Sequence, residues 1–552
     1  MAPEYTIEQG AKQLLATLFD DPRLQIAPEV EAEIKKVQFS GHKTPWLPVP
    51  FKFSEGAGAL TALMAGGAAL IAKERYGIEQ QVVSNTDKAS LNLFGFFFPK
   101  VDGEFILKSS PAVVEASKEA DPYEMLKPIH WSGVGHYKTK DGRYYHVQTA
   151  WKPHPVMKAL GIEEQDVTPR EGYKIYQDKV IQWDSEALDR LMNDELRHSG
   201  TICWTPEEFY NETEHGKVVN KEPAAFVTKL EAPRKAWPTP AKDGTFRPLE
   251  GIRVLDASRA IAAPIISKML AALGADVIHV SCLEIPDIPQ CMVDAQNGKR
   301  DVAINLRTDE GKQQFKHLLK DADVFVDGFR PNALEKLGFS AAACREDNPS
   351  LIYVRENCYG YNGPWAYRAG WQTLADAVTG ICMVMGRWLG LGDEPVQPIG
   401  HGRVANADYS TGMLGAGLIV NLLWQRAHAD VTFDLKLSLV HYDTWLYKFG
   451  QYDKVQQDAL RDLHKDFTTN FNDSFLFEAQ ANAWKSINTI RPGLSDRPEF
   501  YSTLPGKLWG EERDMQVVAP PFEFSKSEIG YRYPSGRRGW CKDYNWLPHQ
   551  AA

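Results

Sequence analysis

Cysteine, positive charge and long uninterrupted apolar runs are all scarce in this chain, and each shortage closes off a class of function. Seven cysteines are scattered through 552 residues, an odd number with no CxxC pair. That spacing suits neither a structural zinc site nor a disulfide framework, and it points to a reducing, cytoplasmic setting with a mitochondrial one left open. Lysine and arginine number 62 against 72 acidic residues, a net charge of −10. A nucleic-acid surface needs a cationic excess, so none is expected. The longest apolar stretches, Gly58–Ala72 and Gly412–Trp424, have polar flanks. Both are shorter than the roughly 18–20 residues that cross a bilayer, and they predict buried helices with no membrane association. The opening MAPEYTIEQGAKQLL lacks a signal-peptide pattern, and the closing HQAA is not a peroxisomal tripeptide.

Glycine is missing where a dinucleotide enzyme needs it. From Ile252 onward, short β-rich runs alternate with helical segments: IRVLD, ADVIHV, DVFVDGF and LIYVREN, with DEGKQQFKHLLKDA as an amphipathic helix between the second and third. This alternation predicts an α/β fold with a doubly wound parallel sheet. The first βα turn, DASRAIAAP, carries no GxGxxG. A pyrophosphate approaches the backbone at that turn only where side chains are absent, so a nicotinamide or flavin cofactor is not expected.

Six segments come in order between residues 248 and 412: PLEGIRVLDASRAIAAP, ALGADVIHV, NGKRDVAINL, ADVFVDGFRPNALEKLGF, NPSLIYV and NADYSTGM. Together they resemble the large domain of the class III CoA-transferases. That family includes formyl-CoA:oxalate CoA-transferase, carnitine CoA-transferase and alpha-methylacyl-CoA racemase. The resemblance implies transfer of CoA between an acyl-CoA thioester and a small carboxylic acid. CoA would be a substrate, with no permanently bound cofactor and no metal, and the family's interlocked homodimer is the implied assembly.

It also implies a site. Asp408 would be the nucleophile, a carboxylate at a helix start that attacks the thioester and carries the intermediate covalently. Taken alone, Asp408 followed by Ser410 and Thr411 would read as ordinary helix capping. Ser258, Ala260 and Ile261 stand where the family loop nears the CoA thioester. Lys299 and Arg300 correspond to its basic pair near the CoA phosphates, and Lys336 to a further phosphate contact; surface or turn charges are the plain alternative. Gly328, Phe329 and Arg330 match a segment that reads N-F-R in the family, so Gly328 removes one polar contact. Phe329 could equally be a core residue.

Trp371 and Gln372 replace the histidine and aspartate of the racemase branch. Racemisation needs an acid and a base on opposite faces of the substrate, and tryptophan supplies neither. A catalytically silent CoA-binding relative is the other alternative. HWSGVG, from His130, falls where formyl-CoA transferases have a glycine-rich loop over the site.

The N-terminal half repeats part of this pattern. SEGAGALTALMAGGAALIAKERYGIEQQVVSN, from Ser54, resembles ADYSTGMLGAGLIVNLLWQRAHADVTFDLKLS, from Ala407, with Glu55 matching Asp408. The expected organisation is a rearranged or fused tandem. Residues 1–130 form a partial first unit and 131–230 a smaller α/β domain. A linker spans 231–247, the main large domain 248–450, and a reduced small domain with a return segment 451–552.

Overall fold

The computed structural model describes residues 5–149, 151–240, 244–398, 405–469 and 476–548. Its largest element is a seven-stranded sheet built from β1 (Ala225–Glu231), β2 (Arg253–Ala257), β3 (Asp276–Ser281), β4 (Lys299–Ala303), β5 (Val324–Asp327), β6 (Ile352–Asn357) and β7 (Val431–Ser438). The order is β4-β3-β2-β5-β6-β7-β1; β1 runs antiparallel to β7 and the other pairings are parallel. Strands covered on both faces need apolar residues at successive positions, which is why β3 is buried along its whole length. The order reverses between β2 and β5, where Ala257 lies beside Asp327. Open α/β sheets leave a crevice beyond the strand ends at such a reversal.

Two long helices of small residues form the centre of the molecule. Helix α1 (Phe53–Tyr76) and helix α2 (Asn406–His428) are each followed by a strand and a second helix: Val82–Asn85 with Thr86–Asn92, and β7 with Leu439–Phe449. The register is the same in both. Asn85 and Ser438 each end the strand and cap the next helix, accepting from the N–H of Lys88 and of His441. Glycine lets the two helices approach closely at their crossing. A methyl group added to Gly67 would lie 2.9 Å from Val420 Cγ1, and one added to Gly417 would lie 2.8 Å from Leu63 Cγ. Gly67 and Val420 are equivalent positions in the two copies, so the packing is that of a two-fold interface inside one chain. Helix α1 has the length and apolarity of a membrane span, but 94% of its most apolar window is buried in the protein.

The two units exchange edge strands. Val82–Asn85 pairs in parallel with Gln38–Ser40 and antiparallel with Phe522–Phe524. β7 pairs in parallel with β6 and antiparallel with β1. The strand that closes the main sheet therefore precedes it, and the strand that closes the first unit comes from the far end of the chain. Between them, Val134–Lys138, Tyr144–Gln148 and Ser199–Ile202 form a small antiparallel sheet over the core of Tyr137, Tyr145 and Tyr176.

Candidate active site

A cavity of about 370 Å³ opens at the sheet reversal. Its floor is the turn after β2. There Ala260 adopts a left-handed backbone (φ 64°), a conformation usually left to glycine, which costs on the order of 1 kcal/mol or more. This bend turns Arg259, Ala260 and Ile261 into the cavity. Ser258 does not join them. It is fully buried, and its hydroxyl donates to Asp256.

The turn after β5 forms the adjoining wall with Gly328, Phe329 and Arg330. A methyl group on Gly328 would sit 2.6 Å from Ala263 Cβ and 2.7 Å from Ser258 Cβ. No asparagine fits there, so the lost polar contact follows from how tightly the two turns pack.

Asp408 faces the same cavity. It is not the cap of its helix: Ala405 occupies that position, no side chain caps the end, and Asp408 stands third. The free N–H groups and the helix dipole favour its anion. Burial works against the anion and, with the charge of Asp376 added, raises the Asp408 pKa to about 7. The surroundings are acidic. Burial, Asp408 and Asp327 raise cavity-lining Glu356 to about 8, and burial raises Asp376 to about 7. Asp443, buried against Asp376, is pushed up strongly. Burial thus opposes a full set of negative charges in this cluster.

The basic pair lies elsewhere. Lys299 is buried, with Nζ 2.9 Å from Asp256 Oδ2 and 2.8 Å from the Pro264 carbonyl. Arg300 is buried against both oxygens of Asp276, at 2.9 and 3.0 Å, and donates to the Asn545 carbonyl. Both cationic heads are consumed by the fold, so the phosphate role expected for them is corrected to a structural one. Lys336 is exposed on a short 3-10 turn and does not line the cavity.

Other cations lie at the cavity: Arg259 and Arg330 line it, and Lys152 follows the lining Trp151 in sequence without itself lining it. Arg259 lies over the rings of Trp151, at 4.6 Å, and Phe329, at 5.7 Å. Arg330 and Lys152 are exposed, and both press on His198, whose pKa burial and these charges lower to about 4. Among the described residues, Arg259, Arg330 and Lys152 make no ion pair with a carboxylate. Arg368 also lines the cavity but is held by Asp189 at 2.6 Å.

HWSGVG is not a free loop. It spans the end of the Pro128–Trp131 helix and the start of the Val134–Lys138 strand, and a methyl group on Gly133 would collide with Thr149. Its glycine serves close packing rather than closure. Trp371, where the racemase branch has histidine, packs at a 40° tilt against Trp151 at 5.3 Å, and Gln372 donates to Asp376 at 3.0 Å. Among the described residues, His130, His154 and Glu164 come within metal-ligating reach of one another. None of the three lines the cavity, and Glu164 already meets Lys127 and His130.

Several site residues escaped the sequence reading: Arg259, Glu356, Asp376 and the aromatic wall of Phe96, Phe97 and Phe105. A lone acid inside QTLADAV was a usable signal for Asp376, because an ionisable group on an apolar helix asks for an explanation. No local signal marked the phenylalanines.

The profile of CoA-transferase family III matches residues 249–494. An acetyl-coenzyme A transferase of Hypoxylon pulicicidum is 33% identical over 469 residues, covering 81% of this chain and 78% of that protein. The chain belongs to CoA-transferase family III. An acyl-CoA transferase of Gibberella moniliformis is 25% identical over 93% of this chain and 90% of its own length. The orthorhombic crystal form of Rv3272 from M. tuberculosis is 19% identical and covers 53% of this chain and 97% of its own, with a TM-score of 0.40. Members of this family act on CoA thioesters, and the profile match spans the β2 turn, the β5 turn and Asp408. The wall from Phe96 to Trp151 lies outside it.

Proposed function

We propose that this protein moves CoA from an acyl-CoA thioester to a carboxylic acid through covalent intermediates on Asp408. One observation carries the reading: the only aspartate lining the cavity among the described residues stands at a helix start facing the sheet-reversal turns. The Asp408 carboxylate attacks the thioester carbonyl; the C–S bond breaks and CoA leaves as thiolate, giving a mixed anhydride. The thiolate then attacks the aspartyl carbonyl, forming aspartyl-CoA and releasing the donor acid. The acceptor carboxylate attacks that thioester, and the freed thiolate takes the acceptor acyl group from the second anhydride. Asp408 is regenerated with no net change in protons or electrons.

Raised pKa values suit these steps. A desolvated carboxylate near neutrality is more nucleophilic than a solvated one, and Glu356, whose pKa burial and Asp408 raise to about 8, spares it further negative charge. Arg259, Arg330 and Lys152 would meet the phosphates of CoA in place of Lys299 and Arg300. The small sheet and both units line the cavity within one chain, which supports a site that does not depend on the homodimer implied by the resemblance. A reducing, cytoplasmic setting belongs to the same reading.

The test is incubation of the purified chain with a panel of acyl-CoAs and carboxylic acids. The expected result is exchange of CoA between acids, with an adduct on Asp408 that hydroxylamine converts to a hydroxamate. Absence of both exchange and adduct across the panel would favour a silent CoA-binding relative.

A further inference from the structure

We infer that the acyl group this site accepts is bulky and apolar, an aliphatic chain or a ring without a second charge, received by a wall from the first unit. This deepens the transferase reading above and rests on it. The wall consists of Phe96, Phe97, Phe105, Leu107 and Met125, all lining the cavity with Asp408.

Its position is set from both sides of the nucleophile. Ala405 donates its N–H to the Leu93 carbonyl at 3.0 Å. A methyl group on Gly95 would lie 2.6 Å from the Tyr409 hydroxyl, so only glycine allows the Gly95–Phe97 turn to close on that ring. Tyr409 is in turn fixed by donating to Asp294 Oδ2 at 2.7 Å, and Asp294 holds Lys268 at 2.7 Å through its other oxygen. The residue that opens the helix and the residue after Asp408 thus both grip the segment carrying Phe96 and Phe97. An acyl group bonded to Asp408 has this wall as its neighbour, while CoA enters across the Arg259 and Arg330 side.

The wall has apolar surface to spare. Phe96 and Phe97 meet at 4.4 Å and Phe97 stacks on Phe105 at 6.2 Å, yet all three stay only partly buried. Aromatic rings left facing a concave site are satisfied by an apolar ligand. A second carboxylate on the acyl group would instead enter a cavity whose other lining acid is Glu356. Of the cavity's arginines, Arg368 is committed to Asp189, and Arg259 and Arg330 lie on the CoA side.

The experiment compares octanoyl-CoA, phenylacetyl-CoA, acetyl-CoA and succinyl-CoA as donors to the full-length protein. We expect kcat/KM for the octanoyl and phenylacetyl donors to exceed that for succinyl-CoA at least about tenfold, the scale set by one or two methylene contacts in an apolar pocket. In Phe96→Ala/Phe97→Ala the octanoyl-to-acetyl ratio should fall at least about tenfold. Calorimetry on Asp408→Asn reads the octanoyl-to-succinyl preference in Kd without requiring turnover. A preference for succinyl-CoA, or equal affinity for all four, would overturn the inference. Exchange that proceeds with succinyl-CoA as the best donor would sink this inference alone and leave the transferase reading standing. Octanoyl preference in binding with no exchange would do the reverse.

Discussion

Glu55 and Asp408 are each the third residue of a long apolar helix, but Asp408 faces a cavity whereas Glu55 lies beneath the hydroxyls of Tyr5 and Tyr452. Tyr5 donates to Glu55 Oε1 at 2.9 Å and Tyr452 to Oε2 at 2.8 Å. The helix Ile7–Phe19 occupies the space in front; a methyl group on its Gly10 would lie 2.7 Å from Glu55 Cγ. Two equivalent acids have thus become one candidate nucleophile and one buried strut.

That asymmetry is open to mutation. Asp408→Asn should lower transfer at least about a thousandfold while leaving the Kd for CoA within about tenfold, because the carboxylate serves chemistry rather than phosphate contacts. Glu55→Gln should keep activity within about threefold. Steady-state exchange and calorimetry read both, and equal inactivation by the two substitutions would mean that Glu55 also takes part in the chemistry.

In the proposed mechanism Asp408 attacks only as the anion, so acylation should accelerate as pH rises through about 7, its raised pKa, and level off above. Burial is the main cause of the shift and the charge of Asp376 the second. Asp376→Asn removes the second cause and should move the rising limb to lower pH. Single-turnover release of CoA from pH 5 to 9 measures this; a rate independent of pH would refute the assignment.

The same logic carries a stability signature at Glu55. Burial raises its pKa from 4.5 to about 7, so the folded state prefers the protonated form. The stabilisation is complete below the unfolded pKa and disappears as pH rises through about 7. Glu55→Gln should therefore gain stability relative to the natural chain between pH 5 and pH 8, by up to about 3 kcal/mol. Urea unfolding at the two pH values would show it, and an identical difference at both would contradict the buried-acid account.

The two sets of cations should separate cleanly. Arg330→Ala with Lys152→Ala should weaken CoA binding by about 1.5–3 kcal/mol with little loss of stability, the scale of charge-assisted hydrogen bonds. Lys299→Ala or Arg300→Ala leaves Asp256 or Asp276 buried without its partner, and should destabilise the fold by about 3–5 kcal/mol. Thermal melts beside CoA titrations distinguish the pairs. Weakened CoA binding by a fully stable Lys299→Ala protein would restore the original phosphate role.

Because both exchanged strands belong to one chain, specific activity should stay constant on dilution from micromolar to nanomolar protein. A proportional loss of specific activity on dilution would show that a second chain completes the site.

The sequence by itself determined the alternation of strands and helices, the buried character of α1 and α2, and the place of Asp408 at the start of α2. Doubly covered strands need continuous β-rich apolar runs, and close helix crossings need small residues; both requirements are local and visible in the string of residues. It also showed the repeat, since equivalent helices need equivalent patterns. Tertiary structure alone decided where the charges go. Lys-Arg ahead of a strand reads the same whether its heads reach a ligand or a carboxylate, and only the positions of Asp256 and Asp276 across the sheet chose the second. The partners of Ala225–Glu231 and Phe522–Phe524 were equally illegible, because an edge strand's hydrogen bonds do not depend on which segment of the chain supplies them. Phe96 and Phe97 share a cavity with Asp408 for the same reason: what brings them there is a close approach of Gly95 and Tyr409, residues far apart in sequence that meet only in the folded chain.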